Sequence, residues 1–163
     1  MNTQIIYPTE KYFRSFHEAL SAVAEERIYI EMIQAPPVEK VSAFQSGLIE
    51  ENGPVYYAIN DERVVGWCDI FPADNPRLGH RGSLGMGLLP EFRGQGLGSK
   101  LMESVLEHAK HFGLEKVELH VYTSNTPAIA LYKKFGFEQE GLIKKYRKLD
   151  GQYFDSLAMG KFL

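Results

Sequence analysis

Three glycines alternate at Gly94, Gly96 and Gly98 in the run Leu88-Leu89-Pro90-Glu91-Phe92-Arg93-Gly94-Gln95-Gly96-Leu97-Gly98-Ser99. They stand between a segment that reads as a strand and one that reads as a helix. Glycine tolerates positive φ and lets a ligand approach the backbone closely. The start of a helix offers N–H groups with no partner inside the helix, at the positive end of its dipole. A phosphate or pyrophosphate is the natural guest. The spacing excludes two common phosphate loops. Ser99 falls where G-x-x-x-x-G-K-[ST] needs its second glycine, and Lys100 is followed by Leu101. The dinucleotide pattern G-x-G-x-x-G fails at the same residue.

A second segment, Asn125-Thr126-Pro127-Ala128-Ile129-Ala130-Leu131-Tyr132-Lys133-Lys134-Phe135-Gly136-Phe137, also carries polar groups at regular spacing. Tyr132 follows Asn125 by about two helical turns, so both can face one groove. The two segments together carry a resemblance. Arg93-x-x-Gly96-x-Gly98, preceded by Leu88-Leu89-Pro90, resembles the acetyl-CoA pyrophosphate loop of the GNAT N-acetyltransferase superfamily. Asn125–Phe137 is similar to that family's N-x-x-A-x-x-L-Y-x-x-x-G-F segment. The likeness is fullest over Ser83–Phe137 and extends to Leu163.

The resemblance implies transfer of an acetyl group from acetyl-CoA to a primary amine of a small molecule or peptide. The amine would attack the bound thioester directly in a ternary complex, with no metal. The resemblance assigns Arg93, Gly94, Gln95, Gly96, Leu97, Gly98 and Ser99 to the pyrophosphate. It gives the pantetheine arm to the backbone of Leu88 and Leu89 and to Asn125. A bulge splaying the Ser83–Leu89 strand from Lys116–Tyr122 would open the cofactor slot. Tyr132 would be the general acid to the CoA thiolate, since a phenol near pKa 10 can donate to a thiolate near about 8.5. The plainer alternative for Tyr132 is a core aromatic packed with Leu131 and Phe135.

A lysine-like acceptor is only about 0.04% neutral at pH 7, so a base must take a proton. Many members of the family place a glutamate on the strand before the glycine loop, but Ser83–Leu89 has no acid. This departure points to a base elsewhere or to water relaying the proton, and His120 is one candidate, with a side chain suited to base work near neutrality. Its alternative is a surface histidine. Asp69 and Glu31 are further candidates, and either could instead contact a cationic acceptor. The resemblance implies an acceptor pocket shaped by Ile28–Gln34 and Leu142–Phe154, which hold Tyr29, Glu31, Tyr146 and Tyr153. A CoA-binding sensor without transfer is the rival reading, resting on the missing strand glutamate.

The elements that must carry these residues follow from periodicity and punctuation. Gln4–Tyr7 reads as a short strand, with Thr9 to cap a helix whose Phe13, Phe16, Leu20 and Val23 recur at helical spacing. Pro36 and Pro37 suit the first turn of a second helix ending at Asn52-Gly53. Val55–Ile59 and Arg63–Phe71 read as strands joined at Asn60-Asp61, followed by a strand at Ser83–Leu89. A helix spans about Gly98–Phe112, a strand Lys116–Tyr122, and a short helix begins at Pro127 with Thr126 as its cap. Asp150-Gly151 joins two final strands. The fold expected is one α/β (α+β) GNAT-like domain over residues 1–163. Its sheet is mixed, mostly antiparallel and about seven-stranded, with about four flanking helices.

Composition agrees. The 163 residues are 44% hydrophobic and 24% charged, which excludes disordered and collagenous classes. The net charge of −3 disfavours a general nucleic-acid binder. Lys144–Lys148 is read as a solvated face. His108 and His111 have helical metal spacing but no third ligand, and are read as solvated. The one cysteine, Cys68, excludes an internal disulfide and is read as a small buried residue. The start lacks a charged n-region before an apolar run, and no apolar stretch is long enough to span a membrane. A cytoplasmic protein is expected, with a homodimer through the C-terminal hairpin left open.

Overall fold

The computed structural model describes residues 2–163. Seven strands hydrogen-bond in the order β1-β2-β3-β4-β5-β7-β6. They are β1 (Gln4–Ile6), β2 (Val55–Asn60), β3 (Arg63–Pro72), β4 (Arg81–Leu88), β5 (Lys116–Tyr122), β6 (Glu138–Leu149) and β7 (Gln152–Phe162). The helices are α1 (Phe13–Glu25), α2 (Val38–Glu50), α3 (Leu97–Phe112) and α4 (Thr126–Lys134). The expected mixed, mostly antiparallel sheet with four helices is what the chain forms. The chain divides into two compact units, residues 2–71 with 84–113, and residues 72–83 with 114–163.

In the first unit, β2 pairs antiparallel with β1 and β3, placing Val55 opposite Asp69. The β2–β3 turn is Asp61-Glu62, one residue later than expected, and both residues have positive φ, 48° and 61°. Such a turn matches the twist of a hairpin even without glycine. A single 3-10 turn, Glu10–Tyr12, precedes α1, and the Thr9 side chain makes no capping bond. The α1 stripe Phe13, Phe16, Leu20 and Val23 is buried. Helix α2 starts at Val38, so Pro37 lies just before the helix rather than inside its first turn. Its Val41 and Leu48 are buried, but Phe44 is 61% exposed. The Phe44 ring instead lies against Phe71, centroids 4.3 Å apart. Helix α3 buries Leu97, Leu101, Val105 and Ala109 and stops at Gly113, whose φ of 102° suits glycine.

In the second unit, β4 pairs parallel with β5 over Arg81–Ser83 against Lys116–Glu118. Strand β5 pairs along its whole length with β7, and β7 with β6 across the Asp150-Gly151 turn. Helix α4 starts one residue earlier than expected. Asn125 is its cap, with Oδ1 accepting the Ala128 N–H at 3.3 Å. Arg147 corrects the reading of a solvated basic run. It is buried, its guanidinium 5.2 Å from the ring centres of both Tyr122 and Phe154. Those aromatic faces replace part of its hydration.

Candidate active site

The glycine loop adopts the form its residues require. Gly94 and Gly96 have φ of 72° and 79°, and a Cβ on either would meet open space. Gly96 is the N-cap of α3. The first bond inside the helix is Lys100 N–H to Gly96 O at 3.2 Å. The amides of Leu97 and Gly98, one turn earlier, therefore find no carbonyl inside the helix. The first turn carries no acid, and the last carries Lys110 and His111, which leaves the positive end of the dipole uncompensated. This loop can hold an anion through backbone amides. Gln95 turns back, its Nε2 donating to Glu91 O at 2.8 Å.

Arg93 does not present its charge to the loop's outer face. Its Nη1 donates to Glu26 Oε2 at 2.9 Å, Nη2 donates to Oε1 of the same carboxylate, and Nε donates to Leu88 O at 3.0 Å. The guanidinium also lies 4.5 Å from the centre of the Tyr29 ring. The Glu26 hydrogen bonds hold its pKa above the usual arginine value. Arg93 is thus a clasp tying the loop to the end of α1 and to Tyr29. Leu88 and Leu89 are also partly engaged. Leu89 N–H donates to Val65 O at 2.9 Å, and Phe92 N–H donates to Leu89 O at 2.9 Å.

A cavity of about 380 Å³ lies in the same unit, walled by α1, α2, β3, β4 and the segment after α1. Phe16, Phe44, Trp67, Phe71 and Met86 make it apolar, and Ile30 and Met32 come from the segment the resemblance assigned to the acceptor. His17 Nε2 donates to Pro36 O at 2.7 Å and so ties the chain just before α2 to α1. Two glycines of β4 make the packing possible. A Cβ on Gly87 would lie 2.3 Å from Trp67 Cη2, and one on Gly85 would lie 3.1 Å from Asp69 Oδ1.

Asp69 is the carboxylate of this cavity and is 5% exposed. Gln45 Nε2 donates to its Oδ2 at 3.2 Å, and Tyr57 O–H donates to Gln45 Oε1. Burial pushes the Asp69 carboxyl up to about 7, against a smaller opposing effect of the Gln45 hydrogen bond. Burial also raises the Tyr57 phenol and the Cys68 thiol beside it, each helped by the Asp69 charge. Cys68 is fully buried, as expected of a small packing residue.

The other expected site residues lie in the second unit. Asn125 uses its side-chain oxygen to cap α4. Tyr132 is buried on α4, its ring 5.9 Å from that of Phe137. His120 is exposed on β5 and stacks on Tyr146, centroids 5.9 Å apart and planes within 10°. His108, expected to be solvated, bridges three elements of the first unit. Its Nδ1 accepts from Tyr56 O–H at 3.1 Å, and its Nε2 donates to Asn52 O at 2.8 Å. No metal-binding cluster exists among the described residues.

Residues 13–137 match the sequence model of the acetyltransferase (GNAT) family. The chain belongs to this family. L-amino acid N-acetyltransferase AaaT of Escherichia coli (strain K12) is 32% identical over 149 residues, 89% of this chain and 91% of that protein. The acetyltransferase of GNAT family from Streptococcus pneumoniae has the same fold, with a TM-score of 0.92 at 24% identity over 99% of both chains. A GNAT superfamily phosphinothricin acetyltransferase from Sinorhizobium meliloti, solved in complex with acetyl-CoA, gives a TM-score of 0.92 at 19% identity. That match covers 100% of this chain and 89% of that one. GNAT enzymes take their acetyl group from acetyl-CoA, so the chain is an acetyl-CoA-dependent N-acetyltransferase. Among the described residues, no helix is long and apolar enough to cross a membrane.

Proposed function

We propose that residues 1–163 act as one catalytic domain that acetylates the primary amine of a small molecule or peptide. The glycine loop carries this reading: Gly94 and Gly96 at positive φ, with open space above them, leading into uncapped amides. The pyrophosphate of acetyl-CoA would bind along Arg93–Ser99, with Arg93 positioning the loop and the amides holding the charge. The carbonyls of Leu88 and Leu89 each have a second lone pair for the pantetheine arm. Asn125 would serve that arm, and Tyr132 the departing thiolate. The name of AaaT, an L-amino acid N-acetyltransferase, points to a free amino acid among the acceptors. A cytoplasmic setting suits an enzyme with one buried free thiol. Leu142 and Ile143, 46% and 40% exposed on the outer strand β6, support association of two copies there.

Two variants test this. Gly96→Val puts a branched side chain where the anion would sit and should weaken acetyl-CoA binding tenfold or more in a calorimetric titration. Unchanged affinity removes the loop from the donor site. Tyr132→Phe should lower kcat about 10²-fold if the phenol protonates the thiolate. An unchanged kcat at pH 6, 7.5 and 9 removes that role.

A further inference from the structure

We propose that the cavity between α1, α2, β3 and β4 is the acceptor site, that its acceptor is a compact primary amine on an apolar body, and that Asp69 is the general base. This rests on the acetyltransferase reading above and gives that reaction its substrate class. It replaces His120, one candidate base from the sequence.

Three observations carry it. The first is shape and chemistry. A cavity of about 380 Å³ lies at the small end of ligand sites, which run from roughly 300 to 1,000 Å³. Its walls are mainly aromatic and aliphatic, with Trp67, Phe16, Phe44, Phe71 and Met86 facing in. Polyamines carry several cations, and aminoglycosides carry several cations and many hydroxyls, which such walls would leave unpaired. An aliphatic or aromatic body with one ammonium group fits them.

The second observation is the single carboxylate. Among the described residues, Asp69 is the only acid lining the cavity. An isolated charge is costly to bury, and the Gln45–Tyr57 chain supplies it with one neutral donor, not a cation. An entering ammonium would supply the missing counter-charge. The carboxyl opens onto the cavity, and burial raises it to about 7, which suits exchange of a proton near neutral pH.

The third observation is the relation between Asp69 and Gly85. Gly85 lies on the strand that leads to the glycine loop, and from Ser83 to Leu89 that strand has no acid of its own. Asp69 Oδ1 lies 3.1 Å from where a Gly85 Cβ would be. The bare Cα of Gly85 therefore leaves the β3 carboxylate room beside β4 that a side chain there would crowd. One strand supplies the acid that its neighbour lacks.

The proton count closes. The ammonium gives one proton to the Asp69 carboxylate and becomes a neutral amine. Its lone pair forms the new C–N bond to the thioester carbonyl carbon, and the C–S bond breaks. The nitrogen's second proton goes to the departing thiolate, so the products are the acetamide, CoA thiol and the one proton that Asp69 took and passes to solvent. Asp69 returns to its carboxylate through the cavity mouth.

Burial and the Gln45 hydrogen bond set its titration. Around the cavity and the carboxyl, α2 brings neutral Gln45 and exposed Lys40, β2 brings Tyr57, β3 brings neighbouring Cys68, β4 brings Gly85 and Met86, and α1 brings Phe16 and Leu20. Lys40 is the one cation on the wall, so a carboxylate beside the amine is compatible with the site.

The test measures thiol release with leucine, phenylalanine, isoamylamine and phenethylamine beside spermidine, kanamycin and glycine. Acetyl-CoA affinity is measured separately on the same protein. The apolar amines should have kcat/KM at least tenfold above the polar ones. Asp69→Asn should lower kcat/KM about 10²–10³-fold, remove the acidic limb near pH 7, and leave acetyl-CoA affinity unchanged. Phe44→Ala alters an exposed residue of the wall, so folding is not at risk. It should raise KM for the apolar amines tenfold with kcat nearly kept. Preference for the polar amines overturns the inference, as does silence on the apolar ones. So does an Asp69→Asn enzyme that keeps its pH profile and rate. Failure of the wild type to bind acetyl-CoA overturns the underlying acetyltransferase reading instead.

Discussion

Replacing Asp69 by asparagine should make the protein more resistant to unfolding at alkaline pH. The sign follows from the direction of its pKa. The folded carboxyl titrates near 7 and the unfolded one near the ordinary 3.8. The native state therefore holds its proton over a range in which the unfolded state has released it. The stability contributed by this group is full below 3.8, declines as pH rises, and is lost by the time pH passes 7. The gap between 3.8 and about 7, at 1.36 kcal/mol per pH unit, comes to about 4 kcal/mol in all. Part of that is already gone at pH 5, where the unfolded group is ionised. About 3 kcal/mol remains to be lost between pH 5 and pH 9. Asparagine does not titrate, so its variant escapes this decline. At about 2–4 °C per kcal/mol for a chain of this size, its Tm relative to wild type should rise by roughly 6–12 °C between the two pH values. Thermal melts of both proteins at pH 5, 6, 7, 8 and 9 would measure it. Comparing the two proteins cancels every other titrating group and the packing cost of the substitution. Parallel Tm curves would refute the reasoning, because they would show that Asp69 titrates as though exposed.

Gly87→Ala drives a methyl group to within 2.3 Å of the Trp67 ring and should cost about 1–3 kcal/mol, a Tm loss of roughly 2–12 °C. Because Trp67 walls the cavity, the variant should also raise the acceptor KM, and an unchanged KM would separate the ring from the acceptor. Arg93→Lys loses the fork onto Glu26 and the flat face on Tyr29 and should cost about 1–3 kcal/mol. Melting should fall by a few degrees and KM for acetyl-CoA should rise severalfold. An unaltered donor KM would show that the clasp does not hold the loop.

The features legible in the sequence were local ones. The stripe Phe13, Phe16, Leu20 and Val23 is buried because spacing along one helix fixes which side chains share a face. Gly94 and Gly96 take positive φ for the reason that makes glycine worth noticing, and Asp150-Gly151 turns as such a pair should. Where two capping residues were adjacent, sequence chose the wrong one. Thr126 and Asn125 both favour helix starts, and only the chain's path decides between them. The rest depended on partners far along the chain. Arg93 meets Glu26 across 67 residues, and Gln45 meets Asp69 across 24. Asp69 reads as one acid among 21, and its position beside Gly85 follows from strand pairing that no local pattern encodes. His108 looked solvated because its partners, Tyr56 and Asn52, lie more than fifty residues away.

The Arg93 clasp has a thermodynamic consequence for how the two substrates meet the enzyme. Arg93 belongs to the loop, Tyr29 lies under its guanidinium, and the next residue, Ile30, is part of the cavity wall. A rearrangement of Arg93 on donor binding would reach the wall through the Tyr29 ring contact and one residue of backbone. Coupling of this kind is reciprocal: whatever factor one substrate gains from the other, the other gains in return. Binding in a preferred order would then need no moving lid, only one side chain shared between two ligand sites.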